Sequence, residues 1–110
     1  MIEGSVLILE FNGAVAKENS PSENPIPMED VFDFIDHTIN NAYCRIIIHI
    51  AHMDIQKPIE EWLIKHHHPM LTYLTIKSVE VTNVIPKYAA YISPRAIRFT
   101  NFQDMERYII

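Results

Sequence analysis

One cysteine in 110 residues leaves no partner for an internal disulfide, so no disulfide within the chain staples it. Cys44 precedes the apolar run "RIIIHI" and reads as a small buried residue. Basic residues are scarce, 9 Lys and Arg against 14 Asp and Glu, for a net charge of −5. That balance argues against non-specific binding of nucleic acid, which needs a positive face, though it leaves room for a local basic pocket. No apolar run approaches the ~20 residues that cross a bilayer, so no membrane partner is expected. Glu3 and Gly4 interrupt the first residues before any basic region or sustained apolar stretch, unlike a signal peptide. The placement expected from this is cytoplasmic. Repeats, low-complexity segments and linkers are absent as well, which predicts a single domain over 1–110. What the chain has in quantity is apolar residues, 48% with 21% charged, enough to bury a core.

The apolar residues are patterned. "SVLILEF" is continuously apolar and β-prone, as in a strand covered on both faces. "AKENSPSENPIP" is polar and broken by proline, hence a loop. In "MEDVFDFIDHTINNA", Val31, Phe34, Ile35, Thr38 and Ile39 fall at helical spacing, and Glu29, Asp30 and Asp33 suit the positive end of a helix dipole. "CRIIIHI" reads as a second buried strand. "KPIEEWLIKHHH" reads as a helix with Pro58 near its start, Ile59, Trp62 and Leu63 on its apolar face, and basic residues at its end. "MLTYLTI" and "VEVTNVI" are β-prone, "KYAAYI" is a short strand, and "NFQDMERYII" places Phe102, Met105, Tyr108 and Ile109 at helical spacing.

Alternation of this kind predicts a parallel sheet with right-handed crossovers and helices on both faces. Ligands in such sheets sit at the carboxyl ends of the strands. Glu10, Asn12, His49, Ile50, His52 and Ser93 are expected to gather there.

Taken in order, "LEFNG", "IHIAH", "KPIEEWLIKHHHP", "LTIK" and "YISPRAIRFTNF" resemble segments of the haloacid dehalogenase (HAD) superfamily, above all its small capless phosphatases related to capsule-synthesis proteins. The likeness spans nearly the whole chain, and "EWLIKHHHP" and "YISPRAIRF" are its most specific parts. It implies a three-layer Rossmann-like α/β domain with a short, mainly parallel sheet and no cap. In that family the first strand ends in Asp-x-Asp-Gly, the second in Ser or Thr, and a later one in Tyr-Ile-Asp-Asp-Arg. Here Glu10 stands at the nucleophile position, Asn12 at the acid/base position, and Ile50 at the phosphate-binding hydroxyl position. His52 takes the place of an arginine, while Ser93 and Pro94 replace the acidic pair that helps hold magnesium. Gly13 and Arg95 persist. Lys77 matches the charge-neutralising lysine, with Lys87 as the fallback.

These replacements bear on each step of the family reaction. It needs a carboxylate that attacks phosphorus and a second carboxyl that protonates the leaving group and then activates water. Glu10 keeps the charge but displaces it by ~1 Å or more, an error that costs on the order of 10²-fold where attack geometry is strict. Asn12 offers donors and an acceptor but no acid proton at neutral pH. Ile50 removes a hydroxyl donor, and Ser93–Pro94 removes two negative charges that favour a divalent cation.

The reading is therefore a degenerate HAD-like domain that has lost phosphohydrolase chemistry. It is expected to act by binding a protein partner, as an inhibitory or regulatory module, with no metal or cofactor. A capless domain exposes its pocket and sheet edge, so a homodimer is also compatible. Two alternatives remain: a magnesium-dependent phosphatase of a phosphosugar or nucleotide using Glu10, and a non-catalytic sensor of a phosphorylated ligand through Lys77 and Arg95. Three lesser features have plain readings. His49 and His52 with Asp54 lack the spacing of a closed metal set. His66, His67 and His68 end a helix and meet its exposed carbonyls. Trp62 belongs to the core by its spacing, and Arg98 pairs with surface carboxylates.

Overall fold

Two apolar triplets, Leu7–Ile8–Leu9 and Ile46–Ile47–Ile48, lie side by side in register at the centre of the sheet. The computed structural model describes residues 6–41, 44–85 and 90–92. Strand β1 (Val6–Glu10) pairs parallel with β2 (Arg45–His49), so that Leu7 faces Ile46, Ile8 faces Ile47 and Glu10 faces His49. Strand β3 (Val79–Thr82) continues the sheet beyond β2, and β4 (Ala90–Ile92) pairs with β1 on its other side. The spatial order is β3-β2-β1-β4, all parallel. It reverses at β1, and a reversal of this kind leaves a crevice at the carboxyl ends of the strands.

Helix α1 (Val31–Asn41) connects β1 to β2, and α2 (Gln56–His66) lies between β2 and β3. Two crossovers that step the same way and share a hand put their helices on the same side of a sheet. One core cluster accordingly joins Val31, Phe34 and Ile35 of α1 and Ile59 and Leu63 of α2 to the strand residues Leu7, Leu9, Ile46 and Ile48. Ile8 and Ile47, on the opposite face, are buried too. The continuous apolar runs thus mean burial on both faces, as parallel strands require. Cys44 is free and buried, which pushes its thiol above the ordinary value.

One segment departs from the sequence reading. "MLTYLTI" reads as strand, but Met70–Thr75 forms a short helix, α3, entered through Pro69. Its β-branched and aromatic residues favour a strand only where a sheet is there to receive them. Here the chain has just left α2, and Met70, Tyr73 and Leu74, at helical spacing, pack against the core. Met70 is fully buried and Leu71 is exposed. The burial gained by that face outweighs a propensity difference of less than ~1 kcal/mol per residue.

The three described helices share one face, so the described part is a sheet with a single helical layer. The expected terminal helix over 102–109 lies outside the described residues, as do Lys87, Ser93, Pro94, Arg95 and Arg98.

Among the described residues Phe34 is the largest of the fully buried side chains, and it sits in the cluster between α1 and the sheet. Phe34→Ala is expected to lower the free energy of unfolding by about 3–5 kcal/mol. In urea denaturation this reads as a lower midpoint with an unchanged slope.

Candidate functional site

Because the apolar triplets of β1 and β2 end at the same level, the first polar residue after each comes out side by side. Those residues are Glu10 and His49. Both are partly buried, and His49 Nδ1 lies 2.9 Å from Glu10 Oε2. An ionised carboxylate only accepts hydrogen bonds, so the ring donates through Nδ1. This fixes the tautomer of a neutral imidazole, with Nε2 left as the acceptor.

After Glu10 the chain makes one wide turn. The Ala16 N–H donates to the Phe11 carbonyl at 2.8 Å and the Gly13 N–H to the Ala16 carbonyl at 2.7 Å. Gly13 has φ 103°, a region that suits glycine because a Cβ would crowd the backbone there. This is what the glycine following Glu10 and Asn12 does: it turns the chain back over the strand end.

The loop then folds as an antiparallel hairpin. Ala16 bridges Pro27, the Lys17 N–H donates to the Ile26 carbonyl at 2.8 Å, and the Met28 N–H donates to the Val15 carbonyl at 2.9 Å. "AKENSPSENPIP" is thus a loop with paired arms. Trp62 fastens it to α2, its indole N–H donating to the Pro25 carbonyl at 2.9 Å. Trp62 also meets Phe11 edge to face, with ring centroids 5.4 Å apart. It is half-buried where Ile59 and Leu63 are buried, so the expected core residue also serves as a wall.

Strand ends, hairpin and α2 border a half-open cavity of ≈ 570 Å³. That is within the ~300–1,000 Å³ range of small-ligand sites. Its polar lining includes Glu10, Asn12, Lys17, Glu18, Glu23 and His49; Phe11 and Trp62 stand on its apolar side.

The structure brings together only some of the residues expected at this edge. Glu10, Asn12 and His49 line the cavity. Ile50 lines it as well, but it is 2% exposed and belongs to the core cluster with Ile46 and Ile48. Gly13 is buried and acts through its backbone. His52 is exposed in the turn that follows β2 and does not figure in the lining. Lys77 requires a correction. It precedes β3 at the amino end of the sheet, with its carbonyl accepting from Arg45 Nε at 3.4 Å, while Glu10 is at the carboxyl end. The strand length itself separates them, and the anion-sensing pair of Lys77 and Arg95 loses its described member. Lys77 instead closes the turn from α3 to β3 at φ 61°.

Magnesium takes oxygen ligands in near-octahedral array. At the described strand ends the Glu10 carboxylate is hydrogen-bonded to the His49 imidazole, while Ser93 and Pro94, where the resemblance puts the acidic pair that helps hold magnesium, lie outside the described residues.

The histidine run also behaves differently from a set of carbonyl caps. His67 stacks on Phe32 with centroids 5.0 Å apart, and its Nε2 lies 2.9 Å from both oxygens of Asp36. Tyr73 donates its hydroxyl to Asp36 Oδ1 at 2.7 Å. One carboxylate on α1 thus ties down the end of α2 and the middle of α3. His66 packs against Trp62, with centroids 4.7 Å apart. The contacts of Asp36 and Phe32 with His67 and Tyr73 join residues over 30 positions apart, and no local signal announces them. The hairpin residues of the cavity escaped the sequence reading for a related reason. Only the paired arms bring Lys17, Glu18 and Glu23 over the strand ends.

No protein-family profile, curated protein or solved structure matches this chain.

Trp62→Phe keeps a ring but loses the hydrogen bond to Pro25. Amide exchange within residues 17–26 should then rise about 2- to 12-fold, the equivalent of one net hydrogen bond of ~0.5–1.5 kcal/mol. Burial, then the hydrogen bond to Asp36, push the Tyr73 phenol above its ordinary value. A phenol that is harder to ionise when folded contributes its full stabilisation below the unfolded value of ~10 and loses it as pH rises through the folded value. Thermal midpoints measured upward from about pH 10 should therefore fall more steeply in the wild type than in Tyr73→Phe.

Proposed function

We propose that the chain is a capless HAD-like domain that has lost phosphate hydrolysis and works by binding a partner at the cavity beside β1. The observation that carries this reading is the pairing of Glu10 with His49. A nucleophile must approach phosphorus with an unencumbered lone pair on a near in-line path. Glu10 has an oxygen engaged by the neighbouring strand, on a side chain one methylene longer than the family's aspartate. Asn12 supplies no acid proton, and Ile50 is committed to the core instead of offering a hydroxyl. The parallel strands, the reversal of strand order at β1 and the glycine turn after Asn12 support the HAD-like part of the reading.

Binding, in contrast, needs only shape and complementary chemistry. The cavity is concave, has an aromatic side and is roofed by a hairpin fastened to α2. A protein partner that inserts a side chain here would have its action limited by the hairpin and by Trp62. An inhibitory or regulatory role fits that use of the edge.

The test is turnover of p-nitrophenyl phosphate with and without magnesium. The wild type is expected to give no release above buffer, and Lys77→Ala, at the far end of the sheet, no change in any binding at the cavity. Magnesium-dependent turnover abolished by Glu10→Gln would overturn the reading in favour of a phosphatase.

A further inference from the structure

The resemblance to phosphatases implies an anion in this crevice, but the described lining is itself net negative. Among these residues three carboxylates, Glu10, Glu18 and Glu23, face one ammonium, Lys17. The imbalance has the sign of the whole chain, at −5. A cleft with a low-dielectric wall concentrates such a field and raises the local concentration of the opposite charge. Phosphate, with about two negative charges, would enter against it.

The apolar side of the same cavity is aromatic. Phe11 and Trp62 line it and hold each other edge to face. Indole and phenyl faces attract cations through their quadrupoles, and a guanidinium or ammonium also gives hydrogen bonds that carboxylates accept. Ile55, Pro58 and Ile59 extend the wall with aliphatic surface.

From the sign of the charge, the aromatic side and the volume together, we propose that this cavity takes an organic cation, an ammonium or guanidinium group on an aliphatic stem. The inference rests on the reading of this edge as a binding site and gives its ligand class. The cation is held between the hairpin carboxylates and Trp62, with its stem along the aliphatic wall. Its source is either a small free amine or the basic side chain of a partner protein.

Calorimetry on the whole chain at low salt and about pH 8, above the ordinary imidazole range, tests this with three probes: n-butylguanidinium, N-acetyl-arginine methylamide and inorganic phosphate. Saturable binding of butylguanidinium is expected, weakened by added salt and reduced about threefold by each of Glu18→Gln and Glu23→Gln. Both glutamates are exposed, so these variants leave the core untouched. Trp62→Leu should weaken binding by roughly 3- to 30-fold. Equal or tighter binding of the arginine derivative assigns the cation to a partner's side chain, and weaker binding assigns it to a free amine. Binding of phosphate without butylguanidinium, binding of neither, or affinities indifferent to the glutamate variants would each overturn the inference. None of those results touches the loss of hydrolysis, which stands or falls on turnover of the phosphate ester alone.

Discussion

Parallel pairing of β1 and β2 is the constraint from which the rest of the described structure follows. Each strand contributes three consecutive buried residues, and burial on both faces means that no polar alternation sets their register. What sets it is the length of the apolar stretch. Sliding either strand by one position would bury Glu10 or Arg45, or leave an isoleucine uncovered. With the triplets flush, a carboxylate and an imidazole emerge together at one end, and Arg45 and Lys77 are left at the other. The polarity of the molecule, one end for the crevice and one for turns, is a consequence of that registration.

The crevice owes its shape to the segment between β1 and α1. A chain leaving a parallel strand has to travel back along the sheet, and the direct route runs into a helix. Here it first turns through Gly13 and builds a hairpin, so that a polar loop ends up above the strand ends. Such a loop has little burial to hold it. The bond from Trp62 to Pro25 and the ring contact with Phe11 supply what the loop cannot, and they take it from a helix that is itself fixed by Ile59 and Leu63. Trp62 is thus both a margin of the core and a wall of the cavity. Asp36 plays the corresponding part at the other helix junction, where one carboxylate joins three helices through His67 and Tyr73.

Much of this was legible in the residues. The two central strands, α1, α2 and the last two strands are announced by runs and spacings whose periods differ, 3.6 for helices and unbroken apolarity for buried strands. The failures share a cause. "MLTYLTI" has the composition of a strand, and its helical face matters only because a core stands ready beside Met70. Lys77 looked like a pocket lysine from its place in the order of segments, but order along the chain does not say which end of a sheet a turn occupies. The histidine run sits at a helix end as its position implies, yet the partners of its side chains come from another helix.

By itself the amino-acid sequence determined the class of the domain, the burial of Leu7–Leu9 and Ile46–Ile48, and the arrival of Glu10 at a strand end. Those are local consequences of hydrophobic patterning, which acts over a few residues. Tertiary structure alone decided that Glu10 meets His49, that Ile50 is spent on the core, and that three carboxylates and an indole share one cavity. Such meetings depend on which way the crossovers step and where the hairpin lands. Both are fixed by the joint burial of elements far apart in the chain, which no window of sequence contains.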